Sequence, residues 1–64
     1  MKERVLWIAR DKDNKLYIYE DEPFVVNDER FESYSCYDYW RIFDKLYPEI
    51  TFENSPKQLI IKEN

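Results

Sequence analysis

The sequence predicts a small α+β domain: a mostly antiparallel β-sheet opened by an N-terminal hairpin, with one short helix before the C-terminal strand. Three observations lead to this prediction. Two segments near the N-terminus have the apolar patterns of β-strands, an aromatic-rich middle segment has helical spacing, and a short apolar run lies near the end. With 64 residues, 12 of them aromatic, the chain suits a single domain over residues 1–64.

The N-terminal part predicts a β-hairpin. Residues 4–10 are apolar and partly β-branched, which indicates a strand buried on both faces or nearly so. Residues 15–20 alternate as a second strand, and Asn14 is the best candidate for a left-handed turn residue because the chain contains no glycine. The alternation places Leu16 and Ile18 on one face, and Tyr17 and Tyr19 on the other.

The aromatic-rich middle segment is compatible with two structures. As a helix, it would have Ser35 as its N-cap and Asp38 at the third position, and Pro48 would end it. As a strand, residues 37–42 would alternate, and only a short helical turn over residues 43–47 would follow. The local signals favour the helix.

The other segments give shorter predictions. Residues 24–26 indicate a short extended piece, whereas residues 27–33 are polar and predict an irregular loop. Residues 49–52 are extended and β-prone. Residues 54–56 predict a turn, and residues 58–62 predict the final strand.

Two strings of the sequence resemble a group of short uncharacterised proteins from gut bacteria and their prophages. The first is W-I-A-R-D-K-D-N-K-L-Y-I-Y over residues 7–19, and the second is L-Y-P-E-I-T-F-E over residues 46–53. The shared pattern of that group runs W-V-A-R-D-K-D-G-x-L-Y-L-F and then L-F-P-E-V-T-W-E-D. Asn14 stands where the group has glycine, and Phe52 where it has tryptophan.

The resemblance covers the two ends of the chain and leaves residues 24–39 unmatched. It implies a small sheet with a short helical turn, a mobile-element origin and no known activity. It also favours a strand over residues 37–42, because Phe43 stands near a position where the group often has proline, and proline would begin a helical turn there.

Composition excludes several classes of function. A net charge of −4 argues against direct nucleic-acid binding and against an anionic membrane surface. Cys36 is a single cysteine in a chain without histidine, which predicts a packing residue and neither a disulfide nor a nucleophile. The apolar run over residues 5–9 is too short for a signal peptide or a membrane span, so we expect a cytoplasmic protein.

No motif predicts catalysis, a metal site or a cofactor. Asp11, Asp13 and Glu22 stand at positions one, three and twelve of a calcium loop. Lys15 and Leu16, however, stand where that loop needs an oxygen ligand and a glycine. Without glycine there is no phosphate-binding loop, and without histidine there is no convincing nucleophile–base pair. We therefore predict a non-enzymatic protein with no cofactor.

The negative charge is concentrated in one segment. Residues 20–32 have a net charge of −5, whereas residues 1–19 have a net charge of +2. A solvated connecting loop explains this pattern most simply, and a surface that binds a basic groove is the sharper alternative. The candidate protein interface comprises the acids Glu20, Asp21, Glu22, Asp28, Glu29 and Glu32 and the aromatic residues Tyr17, Tyr19 and Trp40.

Aromatic residues suggest a second kind of contact, since a small sheet cannot bury all of them and exposed Tyr and Trp anchor interfaces. Tyr17 and Tyr19 form either an outward partner or dimer contact or part of a covered second face. The sequence thus predicts a small acidic protein-interaction domain with a protein partner, in its sharper form a phage or mobile-element inhibitor that binds a basic surface of a host protein. The alternative is a structural protein or homodimer that uses its exposed aromatic face.

Overall fold

The computed structural model describes residues 2–34 and 39–63, and this part of the chain is all β. Four strands form an antiparallel sheet in the order β5-β2-β1-β6, and β3 and β4 form a separate two-stranded hairpin. No helix that could span a membrane is found in the described ranges. The strands are β1 (Lys2–Arg10), β2 (Leu16–Tyr19), β3 (Phe24–Val26), β4 (Arg30–Glu32), β5 (Tyr39–Ile42) and β6 (Lys57–Glu63).

The predicted N-terminal hairpin is confirmed. β1 and β2 pair from Trp7 opposite Tyr19 to Arg10 opposite Leu16. The left-handed turn residue is Asn14, with φ of 77°, and its N–H donates to the Asp11 carbonyl at 2.9 Å. Asparagine tolerates this conformation better than most residues other than glycine, which explains how a chain without glycine closes the turn.

The predicted helix is wrong, and with it the α+β class. Tyr39–Ile42 is strand β5, which pairs with β2 along the sheet edge, and residues 43–47 form a turn. The proposed cap residues Ser35 and Asp38 lie outside the described residues. Alternating aromatic and β-branched side chains suit a pleated sheet as well as a helix, and pairing with β5 satisfies the main-chain groups along the free side of β2. The strand alternative was therefore the better prediction over residues 39–42, whereas the helical turn that it placed at residues 43–47 is a non-helical turn.

The segment predicted to be an irregular loop is also ordered. β4 pairs with β3, and the turn between them places Asn27 and Asp28 in the left-handed region, with φ of 53° and 56°. The Glu29 N–H closes this turn on the Val26 carbonyl at 3.1 Å. Two consecutive left-handed residues are normally signalled by Asn-Gly, and Asn-Asp gives a weaker signal.

Residues 49–52, predicted to be β-prone and extended, belong to turns. Side chains replace the ladder bonds there: the Thr51 N–H donates to Asn54 Oδ1 at 2.8 Å, and Asn54 Nδ2 donates to the Glu49 carbonyl at 2.8 Å. Ile50 is nevertheless buried, so its apolar side chain contributes to the core without forming a strand.

Each face of the four-stranded sheet has its own core, because successive strand residues point to opposite sides. The turn segment covers one face through Ile50, and the β3–β4 hairpin covers the other through Phe31. The aliphatic face contains Ile8, Leu16 and Ile50, with Ile18, Ile42 and Leu59 packed against them. The aromatic face contains Ala9, Tyr19 and Phe31, with Trp7, Tyr17 and Phe52 packed against them.

Candidate protein-interaction surface

The cover of the aliphatic face is anchored by one buried cation. Arg10 ends β1 and is only 5% exposed. Its guanidinium donates to five main-chain carbonyls, those of Asn14 (2.9 Å), Asp44 (2.8 Å), Leu46 (3.1 Å), Tyr47 (3.2 Å) and Ile50 (2.5 Å). These bonds hold residues 44–50 against the sheet. Arg10 is thus committed to the fold and does not contribute to a cationic surface.

The cover of the aromatic face is anchored by the next residue. Asp11 Oδ1 accepts a hydrogen bond from the Phe31 N–H at 3.0 Å, and the Lys12 N–H donates to the Glu29 carbonyl at 2.8 Å. Burial raises the pKa of Asp11, and the hydrogen bond from Phe31 opposes that rise. Together these two bonds tie the β3–β4 hairpin to the β1–β2 turn and fix the position of the predicted acidic segment.

Two of the six predicted acids are neutralised by arginine. Glu20 pairs with Arg4 at 2.8 Å, and Glu32 pairs with Arg30 at 2.9 Å. The other four are exposed, and their carboxylates have no ion pair or hydrogen bond within the described ranges. They are Asp21, Glu22, Asp28 and Glu29.

The hairpin separates these four carboxylates into two pairs. Asp21 and Glu22 lie in the connection that enters β3, whereas Asp28 and Glu29 lie at or beside the turn at its other end. Strand β3 lies between the two pairs and is itself about 10 Å long. The structure therefore does not bring all six predicted acids into one cluster, but presents two small anionic groups at the ends of one ordered element.

The two predicted tyrosines lie on the covered face of the sheet, the second of the two arrangements that the sequence left open. Tyr19 is 2% exposed, and its hydroxyl donates to the Phe31 carbonyl at 3.3 Å. Its burial also raises the pKa of the phenol. Tyr17 is partly buried, and its ring centroid lies 6.3 Å from that of Tyr19 and 6.0 Å from that of Tyr39. Tyr17 and Tyr19 thus form no outward contact surface.

Trp40 is the predicted aromatic residue that stays accessible. It lies in β5 opposite Ile18 and is 49% exposed. Phe43, directly after β5, is 66% exposed and was not identified from the sequence. The ion pair of Arg4 with Glu20 was also missed, since two residues that are 16 positions apart leave no local signal of their contact. Only the arrangement of distant segments in the fold reveals the exposure of Phe43 and the ion pair of Arg4.

Comparisons of the chain with protein-family models, with curated proteins and with solved structures found no match. The similarity to short proteins of gut bacteria and their prophages therefore stays a prediction. The fold and the surface define a small β-sheet domain that carries an ordered acidic hairpin.

Proposed function

We propose that the protein is a non-enzymatic interaction domain that binds a basic surface of another protein through its acidic hairpin, residues 20–32. The observation that carries this proposal is the exposure of Asp21, Glu22, Asp28 and Glu29 without cationic neighbours that pair with them in the described chain. Carboxylates without a paired cation attract a basic partner over several ångströms.

The order of the hairpin supports binding over a merely solvated loop. Its main chain is paired internally between β3 and β4, and Asp11 and Lys12 fix it to the β1–β2 turn. An element that is already ordered loses little conformational entropy when a partner binds. The acidic hairpin can therefore present its charges to a partner at small entropic cost.

The spacing of the two acidic pairs indicates the kind of partner. Two anionic groups at opposite ends of one strand match a groove lined with Lys and Arg better than a single cationic residue. Such grooves commonly accommodate nucleic-acid backbones. The sharper form of the proposal is thus a cytoplasmic inhibitor, encoded by a phage or another mobile element, that occupies the nucleic-acid channel of a host protein.

A charge-reversal pair tests this proposal. D21K/E22K changes two unpaired acids of the hairpin, and the control E3K/E49K makes the same change in net charge at exposed positions outside the hairpin. Both tagged variants and the parent chain are used for capture from nuclease-treated lysate of the native host at low and at high salt. We expect the parent and the control to retain a basic protein at low salt only, and D21K/E22K to lose it.

Two results would contradict the proposal. Equal loss of capture by both charge-reversal variants would mean that total charge and not the acidic hairpin matters. Capture that persists at high salt and in D21K/E22K would place the interface elsewhere on the molecule.

The alternative function is homo-oligomerisation through exposed aromatic residues. Trp40 and Phe43 favour it, because both lie at the β5 side of the sheet. Trp40 is 49% exposed and Phe43 is 66% exposed. The substitution W40Q distinguishes it from the acidic hairpin, since it should abolish a salt-resistant dimer and leave low-salt capture of a basic protein unchanged.

A further inference from the structure

The last strand of the sheet has one unpaired edge. β6 pairs with β1 over seven consecutive positions, from Ile8 opposite Lys57 to Lys2 opposite Glu63, and no other described strand pairs with it. The N–H and C=O groups along its outer side thus form a template for another strand. The opposite edge strand, β5, is shorter, with four residues.

Most of the features that protect natural edge strands are absent from β6. The pairing with β1 is continuous, so no bulge interrupts it, and the strand Lys-Gln-Leu-Ile-Ile-Lys-Glu contains no proline. Its centre is apolar and accessible on both faces, since Ile60 is 53% exposed and the adjacent Ile61 is also exposed. Ile60 lies opposite Val5, which is exposed on the same face and extends this apolar strip.

The sequence of β6 complements itself in an antiparallel arrangement. When two copies of the strand pair about Ile60, this residue lies opposite its own copy, Leu59 lies opposite Ile61, and Gln58 lies opposite Lys62. The same register sets Lys57 of one copy opposite position 63 of the other, where the sequence has glutamate. Apolar positions thus meet apolar positions, and Lys62 meets an amide.

Neighbouring registers lack this match. Pairing about Leu59 would set Lys57 opposite Ile61, and pairing about Ile61 would set Ile60 opposite Lys62. Both would bring a charged side chain against the apolar centre of the strand, which costs free energy. Of these three registers, only the one about Ile60 places no charged side chain opposite an apolar one.

We infer that a second copy of this chain pairs with β6 in that register, so that two four-stranded sheets join into one continuous eight-stranded sheet. The interface is isologous, with the two-fold axis at Ile60. It uses a different surface from the acidic hairpin, and the inference does not depend on the proposed function. A dimer of this kind would present two acidic hairpins.

Ile60 gives a specific test because the two-fold axis sets it opposite itself. I60K and I60E each place two like charges in contact at the axis, whereas a mixture of the two variants brings opposite charges together. Molar mass is measured by sedimentation equilibrium over a range of concentrations at low salt, with V25K as a matched control on exposed strand β3. Circular dichroism checks that every variant is folded.

We expect the parent chain and V25K to reach twice the monomer mass of 8.0 kDa, I60K and I60E alone to stay monomeric, and their equimolar mixture to regain the dimer. Three results would overturn the inference. These are a parent chain that is monomeric at every concentration, a dimer that persists in folded I60K, and a folded mixture of the two variants that does not dimerise. A dimer lost in W40Q and retained in I60K would assign self-association to the β5 side instead.

Discussion

The two faces of the sheet are closed by covers with opposite anchors, and the two anchors are adjacent in the sequence. On the aliphatic face, the cation Arg10 donates hydrogen bonds to five carbonyls. On the aromatic face, the anion Asp11 accepts one hydrogen bond from the Phe31 N–H. Consecutive residues of an extended chain point to opposite sides, so the end of a single strand serves both covers.

The difference in the number of bonds follows from the structure of each cover. Residues 43–50 form turns, and their carbonyls have no strand partner, so a multivalent donor is needed to satisfy them. The β3–β4 hairpin pairs its own main chain and needs only a point of attachment. The comparison teaches that a cover without secondary structure depends on its anchor far more than a paired one does.

The largest effect is expected for R10M. This substitution leaves several buried or partly buried carbonyls without donors, and we expect the free energy of unfolding to fall by about 3 kcal/mol or more. Since a chain of this size has a total stability of about 3–10 kcal/mol, this loss is a large fraction of the total and should lower the urea midpoint sharply. Urea unfolding followed by circular dichroism measures the loss. R30M, which removes an exposed ion pair, is the control and should cost at most about 1 kcal/mol.

A smaller effect is expected for D11A. The Phe31 N–H loses its acceptor, and we expect the free energy of unfolding to fall by about 1–2 kcal/mol. The same urea experiment measures this loss, and faster amide exchange at Phe31 should accompany it. A loss as large as that of R10M would contradict the proposed difference between the two covers.

D11N sharpens the comparison through pH, because it keeps an acceptor and removes the charge. Burial raises the pKa of Asp11 above the ordinary value of 3.8, so the folded state binds its proton more readily than the unfolded state. The stabilising contribution of Asp11 is therefore present below pH 3.8 and is lost as the pH rises through the raised pKa.

Relative to D11N, the parent chain should thus gain stability between pH 7 and pH 3.5, as measured by thermal unfolding at each pH. The hydrogen bond from Arg41 lowers the pKa of Asp44. The contribution of Asp44 to stability is therefore lost as the pH falls, opposite to that of Asp11. Because Asp44 is present in both proteins, its contribution cancels. A difference between parent and D11N that is independent of pH would contradict the assigned role of burial at Asp11.

The smallest effect is expected for E20Q, which breaks the exposed ion pair between Arg4 and Glu20. The expected change in free energy of unfolding is within about 0.5 kcal/mol, and it should vanish at high salt. Urea unfolding at two salt concentrations measures it. A larger, salt-independent loss would show that this pair is part of the folded core and not a surface contact.

Local patterns in the sequence were sufficient for the β1–β2 hairpin and for β6. The alternation of residues 15–20 indicated β2. Asn14 was recognisable as the left-handed residue because the geometry of this turn depends only on neighbouring residues. The aromatic segment that contains β5 could not be assigned in the same way, because its residues fit both a helix and a strand. The free side of β2, which lies some twenty residues earlier in the chain, decides between the two.

The candidate site was predictable in composition but not in geometry. The sequence located the six acids, yet the ion pair of Glu20 with Arg4 joins distant positions, and that of Glu32 with Arg30 lies on a strand that the sequence did not predict. Burial of Tyr19 depends on Phe31, which belongs to a segment predicted to be irregular. Burial of Arg10 depends on carbonyls 34 to 40 residues away as well as on its own turn. None of these distances leaves a periodic signal in the sequence.

Because Arg10 binds main-chain carbonyls, the sequence of the segment that it holds can change during evolution. Every residue type has the same main-chain carbonyl, so the hydrogen bonds of Arg10 do not depend on which side chains residues 44–50 carry. Their side chains can change without weakening it, as long as the path of the main chain is kept. Ile50 and Asp44 are exceptions, since the Ile50 side chain fills the aliphatic core, and the Asp44 carboxylate accepts from the Leu16 N–H and pairs with Arg41. This stretch is therefore a place where a compact domain can acquire new surface chemistry while its fold stays the same.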